Sequence, residues 1–312
     1  MQVFWLIVAW LTLPHWDREG QAASPASPAT ETNLIEQEYF RILELDDAAL
    51  KKIDEWIRAS QRPDASEAKT ITLGGRINNA IKPVKEAYEA FIKAHPDHVH
   101  VRLAFASFLT DIGEEHAALP HLKKAIESDP ALPAAWNNLA NYYGHNGEIK
   151  KAFTHYEKAI EINPKESVYY HNFGTTVFLF RKDVKEHYQI TESEVFDKAL
   201  TLYQKALELD PKNFDLAEDI AQIYYGIRTT DSPSQMARPK EALKAWKRAE
   251  SLAPGDFERE GVVIHLARTH IDMGNFKAAR REIDRVTLPI YKELKEQVSR
   301  RIPETNTEIE KE

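Results

Sequence analysis

Between Pro133 and Pro164 apolar residues recur at helical spacing in two bursts. Trp136, Leu139, Ala140 and Tyr143 follow i, i+3, i+4, i+7 and so share one stripe of a helix. Ala152, Tyr156, Ala159 and Ile160 follow i, i+4, i+7, i+8 and define a second helix. Ala140, Ala152 and Ala159 are small, so two backbones can approach closely, with Trp136 and Tyr143 filling the space beside them. Asn146-Gly147 ends the first helix, because glycine accepts the left-handed conformation of a helix stop. Pro164 ends the second, because it cannot continue the hydrogen-bond ladder.

The same frame recurs in tandem. Residues 99–132 place Phe105, Ala106 and Leu109, then Gly113, Ala118, Leu122, Ala125 and Pro130, at the equivalent positions, with Arg102 where Trp136 would fall. Residues 167–213 supply Tyr170, Phe173, Gly174 and Val177, then Ala199, Tyr203, Ala206 and Pro211. Residues 214–256 supply Ala217, Ile220, Ala221 and Tyr224, then Ala242, Trp246, Ala249 and Pro254. Residues 257–286 supply Val263, Leu266, Ala267 and His270, then Gly274, Ala279, Ile283 and Val286. Pro130 and Pro164 are 34 residues apart, whereas the next two intervals are 47 and 43. The extra residues fall between first and second helices, near Arg181–Glu194 and Ile227–Arg238. Phe178, Phe180 and Tyr188 predict that the third unit's first helix runs on past its usual end. Loops at equivalent turns of neighbouring repeats emerge on one edge, so the insertions are either a second recognition surface or, since long surface loops cost little, tolerated length.

These landmarks resemble those of the tetratricopeptide-repeat family, whose period is about 34 residues. The resemblance covers residues 99–286 as five repeats (99–132, 133–166, 167–213, 214–256, 257–286). It implies an all-α, right-handed superhelical solenoid of helix pairs with a capping C-terminal helix. It also implies a surface for partners rather than a catalyst.

The flanks predict more helix. Asp47 can cap a helix carrying Leu50, Ile53, Trp56 and Ile57. A second helix spans Lys82 to Ala94 with Pro83 in its first turn, and Leu73-Gly74-Gly75-Arg76 reads as a turn before it. Residues 34–98 are thus an N-terminal helical region with a divergent repeat. Pro289 opens a helix with Ile290, Leu294 and Val298 on one side, making 287–302 the capping helix and 303–312 a polar tail.

Composition narrows the partners. A formal net charge of −8 lacks the basic footprint that phosphate binding requires, so nucleic acid is not expected. The expected partner is a protein or an extended peptide. Phe4 to Leu13 is an uncharged apolar run, too short for the roughly 20 residues of a membrane span and suited to a secretory signal core. Residues 1–22 are therefore expected to direct export, to the periplasm or beyond, with 23–33 as a Ser/Pro/Ala-rich linker. If the segment stays uncleaved, a membrane-tethered assembly factor results, and membrane contact is through that segment alone. A cytoplasmic protein is the further alternative.

The resemblance also implies where a partner would lie. In this family the first helices line a concave groove, and positions 5, 6 and 9 commonly point into it. Those positions hold Asn137, Asn138 and Asn141, then His171, Asn172 and Thr175, then Asp219 and Gln222, then His265 and Arg268. Side-chain amides donate to carbonyls and accept from N–H groups, so such a ladder can hold an extended backbone. The carboxylate clamp of chaperone-tail binders is not expected, because Leu103, Ser107, Val168 and Asn172 stand where its other residues would be. No phosphate loop, dinucleotide motif, nucleophile elbow or zinc-protease helix is present, so no catalytic residue and no cofactor are expected. An enzyme with a cryptic site is the remote alternative. His95, His98 and His100 share a predicted turn but lack a cysteine or a spaced carboxylate, so no metal is expected there. Asp46-Asp47 and Glu114-Glu115 read as helix starts, where negative charge suits the dipole, and Tyr142-Tyr143 as mostly core.

Overall fold

The structure, a computed structural model, describes residues 31–60, 67–226 and 237–303. Among the described residues there are fourteen α-helices and no strand. The expected signal segment, most of the linker, the 227–236 loop and the tail after Pro303 lie outside the described residues. The chain divides into two compact units, residues 1–145 and 146–312.

The first unit contains α1 (Glu31–Ser60), α2 (Glu67–Ala94), α3 (Val99–Asp111), α4 (Glu115–Ser128) and α5 (Pro133–His145). Its core is the repeat stripe, with Phe105, Ala106, Leu109, Ala118, Leu122 and Ala125 all buried. Gly113 leaves α3 with φ of 81°, a left-handed stop open to glycine at no steric cost.

Helices α1 and α2 are longer than predicted, and the local signals there are overridden. Asp47 lies inside α1 rather than at a helix start; Pro83 lies inside α2, and Gly74-Gly75 is helical rather than a turn. Each helical glycine costs about 1 kcal/mol, which packing between the two helices offsets. The Arg76 guanidinium sits 4.1 Å from the Trp56 ring centre, a cation–π contact. Asp46 is not a helix start but a buried acceptor: the Tyr88 hydroxyl donates to its Oδ2 at 2.6 Å. Tyr88 in turn stacks on Phe105 at 5.0 Å, carrying the α1–α2 pair onto the first repeat.

The second unit contains α6 (Ile149–Ile162), α7 (Ser167–Leu179), α8 (Arg181–Tyr188), α9 (Glu192–Leu209), α10 (Phe214–Gly226), α11 (Ala237–Leu252), α12 (Asp256–Asp272), α13 (Phe276–Asp284) and α14 (Lys292–Ser299). Helices α7 and α9, α10 and α11, and α12 and α13 are the repeat pairs. Gly174 lets α7 lie close on α9, since a Cβ there would come within 2.9 Å of the Tyr203 ring.

The third unit's first helix does not run on through the insertion. Phe180, at φ −105° and ψ 45°, breaks it, and α8 starts as a separate short helix. His187 and Tyr188 settle on Phe153, at 5.3 and 5.6 Å between ring centres. The Tyr188 hydroxyl donates to Glu157 at 2.6 Å, and Lys198 lies 4.1 Å from the Tyr188 ring centre. Thr191 then starts α9 with a capping box shared with Glu194.

At the C-terminal end, Val298 and Ile302 complete a buried cluster with Val263, Ile264, Ala267, Ala279, Ile283 and Val286. Leu294 packs against it, as its phase predicts. Ile290 does not: it is 70% exposed. Pro289–Tyr291 is a 3-10 turn rather than the first turn of α14, and that shifts the phase so that Tyr291 makes the contact instead. Glu260 fixes the approach to this turn by accepting from the Thr287 and Leu288 amides at 2.8 and 2.7 Å.

Candidate functional site

The expected groove residues fall in both units, and each group has its own geometry. In the first unit, α5 seals the amide that should be most available. Asn137 is fully buried and Asn138 is 8% exposed. The Asn137 amide donates to the Asn138 carbonyl oxygen at 3.3 Å, and the Asn138 amide donates to the Ser107 hydroxyl at 3.2 Å. Asn137 is therefore a packing residue, not a groove residue. Buried amides are stable only when paired, and these two are paired inward against α3.

Asn141 is half-buried and lines a small cleft with Ser107, Asp111, Glu115, Asn138, Tyr142 and His145. His145 Nδ1 lies 2.8 Å from Glu115 Oε1, and His116 Nδ1 lies 3.1 Å from the Tyr142 hydroxyl. Tyr142 is thus a cleft residue rather than core. Sequence reasoning missed Glu115, His116 and His145. His145 sits two turns beyond Asn138 and was legible from helical phase; Glu115 and His116 belong to a second helix, where no groove residue was sought.

The three clustered histidines do not gather as a metal site. His98 caps α3, its Nδ1 accepting from the Val101 amide at 3.1 Å. That fixes the proton on Nε2, which donates to Glu36 at 3.3 Å. Among the described residues no group of three or more histidines and carboxylates is arranged to hold a metal ion.

In the second unit the polar positions of α7 and α10 meet. His171 Nε2 lies 2.7 Å from Asp219 Oδ2, linking the two helices. Thr175 donates to the His171 carbonyl at 3.1 Å and so receives the Tyr203 hydroxyl proton at 2.7 Å. Burial, then the Asp219 carboxylate, push the Tyr203 phenol up, so it stays a protonated donor. Asn172 is half-buried, Gln222 is exposed, and the Asp219 side chain keeps 42% of its surface.

Asp215 and Glu218, also on α10, were not foreseen. Burial and then the Asp219 charge raise both carboxyls above their usual range, and Glu258 on α12 adds to each. His265 departs from its expected role. Its ring lies flat on Trp246 at 4.2 Å and 5°, and its Nδ1 meets the Tyr225 hydroxyl at 3.0 Å. Burial, then Arg268, lower its pKa to about 4, so it is a neutral packing group. Arg268 is half-buried beside it.

Comparison with known proteins agrees with this architecture. Residues 133–166 match the family model of the tetratricopeptide repeat. Among solved structures, pilF of Pseudomonas aeruginosa is 12% identical, with 82% of this chain and 99% of that one covered at a TM-score of 0.51. YrrB, described as a tetratricopeptide-repeat protein with an unusual peptide-binding site, is 20% identical over 64% of this chain and 89% of its own, with a TM-score of 0.45. A thermophilic tetratricopeptide-repeat protein of Thermus thermophilus, TTC0263, is 16% identical over 65% and 98%, with a TM-score of 0.43. Comparison with curated proteins yields no match. Residues 133–166 are a tetratricopeptide repeat, and the chain has the all-α fold of tetratricopeptide-repeat proteins. That fold is generally a protein-interaction scaffold.

Proposed function

We propose that this chain is a non-catalytic scaffold that binds a protein or an extended peptide along the polar faces of its first helices. The observation that carries the reading is the polar face of the second unit, where Asn172, Asp219 and Gln222 stand on adjacent helices joined by the His171–Asp219 hydrogen bond. Such a face offers both donors and acceptors to an extended backbone. In the first unit Asn141 and its cleft are the corresponding surface.

The test is affinity capture from the native cell followed by mass spectrometry, with Asn172→Ala/Gln222→Ala beside wild type. The double variant is expected to keep its helicity and melting point and to lose its partner. Equal capture by both would reject the face.

Export is proposed on the apolar run from Phe4 to Leu13. The same run supports the second reading, a membrane-tethered assembly factor that retains it. Among the described residues no helix is long and apolar enough to cross a membrane. Fractionation with N-terminal sequencing separates the two: cleavage favours export, and an intact membrane-bound chain favours tethering.

A further inference from the structure

Helix α8 stands between two breaks in the backbone. Phe180 separates it from α7 at φ −105° and ψ 45°, and Gln189 ends it at φ 55° and ψ 44°. Among the described residues Gln189 is the one residue other than glycine with a positive φ, a left-handed conformation in which Cβ crowds the following carbonyl. Of the eight residues of α8 only Val184 is buried, whereas α7 buries five and α9 six. Lys182, Lys185, Glu186 and His187 are exposed. Few buried apolar groups and a crowded residue at one end mark a segment that opens by itself, ahead of the helices it joins.

What α8 covers is, by contrast, fully buried. The Phe153 ring on α6 has no exposed surface, and His187 and Tyr188 pack against it. Polar links close the cover. The Tyr188 hydroxyl donates to Glu157, also on α6, at 2.6 Å. The Lys198 ammonium, on α9, stands 4.1 Å from the Tyr188 ring centre and 5.3 Å from that of Phe173. At the other end the Arg181 guanidinium lies 5.4 and 5.5 Å from the ring centres of Phe178 and Phe196, and it donates to the Phe178 carbonyl at 3.0 Å. Tyr188 is where α6, α8 and α9 meet. Contacts of this kind are individually weak at a partly exposed position, so one side chain can remove the margin that keeps the cover shut.

We propose that α8 is a latch: residues 181–190 open as a unit about Phe180 and Gln189 while α7 and α9 stay folded, and opening uncovers Phe153. Closed, the latch ties α6 of the second repeat to α9 of the third, a link across the repeat interface that an unmodified repeat lacks. Open, it leaves Phe153 as a new apolar face on α6. The proposal is independent of the polar face on α7 and α10.

Thiol labelling of the full chain tests it, since the sequence has no cysteine of its own. Val184 on α8 and Val177 on α7 are both fully buried, so Val184→Cys and Val177→Cys place single thiols under equal cover. With a small thiol reagent in native buffer, Val184→Cys is expected to react at least about a hundredfold faster than Val177→Cys, because only the latch has to open. Adding Tyr188→Phe, which removes the bond to Glu157 and keeps the ring, should speed Val184→Cys about tenfold and leave Val177→Cys unchanged. Equal labelling of the two thiols, or a Tyr188→Phe effect that is absent or shared by both, would overturn the proposal. Should Val184→Cys itself loosen α8, hydrogen exchange of the unsubstituted chain decides. Amides of α8 exchanging ahead of those of α7 and α9 uphold the latch, and exchange of all three in step rejects it.

Discussion

Helix α5 in the first unit and helices α7 and α10 in the second occupy equivalent places in the repeat, yet treat the same positions differently. On α5 the amide of Asn137 is sealed and bonded inward through Asn138 to Ser107. On α7 and α10 the corresponding groups meet each other across the helices, as His171 and Asp219, and leave Gln222 exposed. Position in a repeat therefore fixes which way a side chain starts out, and its neighbour decides whether it ends in solvent. A small hydroxyl such as Ser107 draws an amide in; a carboxylate such as Asp219 pairs with His171 while 42% of its own side chain stays exposed.

The two units also differ in their tryptophans, and this gives the largest expected effect. Trp246 is fully buried, so Trp246→Ala should cost about 3–5 kcal/mol. Trp136, at the landmark position of the second repeat, is only half-buried and donates to the Pro130 carbonyl at 2.9 Å. Trp136→Ala should cost less, about 1–2 kcal/mol, from partial burial and one hydrogen bond. Urea denaturation of the two variants checks the order, and equal losses would erase the contrast.

Acid should weaken the second unit through His265. Its folded pKa of about 4 lies below the ordinary 6.5, so the unfolded chain takes up a proton first as pH falls. Stability is unaffected above about pH 6.5, declines between there and about pH 4, and then levels; the full loss is about 3 kcal/mol. Asp215 and Glu218 work the other way, since their raised values favour protonation in the fold. The difference between wild type and His265→Gln isolates the histidine, and parallel pH profiles would remove it from the account.

Smaller effects probe the amides directly. Asn137→Ala should cost about 1–3 kcal/mol by leaving Asn138 short of a buried partner. Gln222→Ala, at an exposed position, should change stability by less than about 0.5 kcal/mol. Thermal melts of the two single variants test whether the sealed and open amides differ as described.

The repeat pairs were legible because their landmarks are packing requirements. Ala118, Ala125, Ala152, Ala159, Ala199 and Ala206 stand where backbones meet, and each is fully buried. Gly113 and Gly147 stand where the chain must adopt positive φ, and they do. The α1–α2 pair was less legible because its glycines, Pro83 and Asp47 carry local signals that tertiary contacts at Trp56 and Asp46 override. The break at Phe180 was hidden for the same reason: the aromatic run that suggested a longer helix serves to lay α8 on Phe153. In the candidate site, the identity of the polar positions was readable from phase, but the sealing of Asn137 and the stacking of His265 were not. Both depend on the residue across the interface, Ser107 in one case and Trp246 in the other.

The terminal helix has one more consequence. Val298 and Ile302 cover the flank of α12 and α13 that a further repeat would otherwise occupy. An uncovered end of a repeat stack is an apolar surface, and such ends need a cap to stay soluble. A chain cut after Leu288 would remove Val298 and Ile302 from that cluster, and it is expected to self-associate, which sedimentation would register as species larger than the full chain gives.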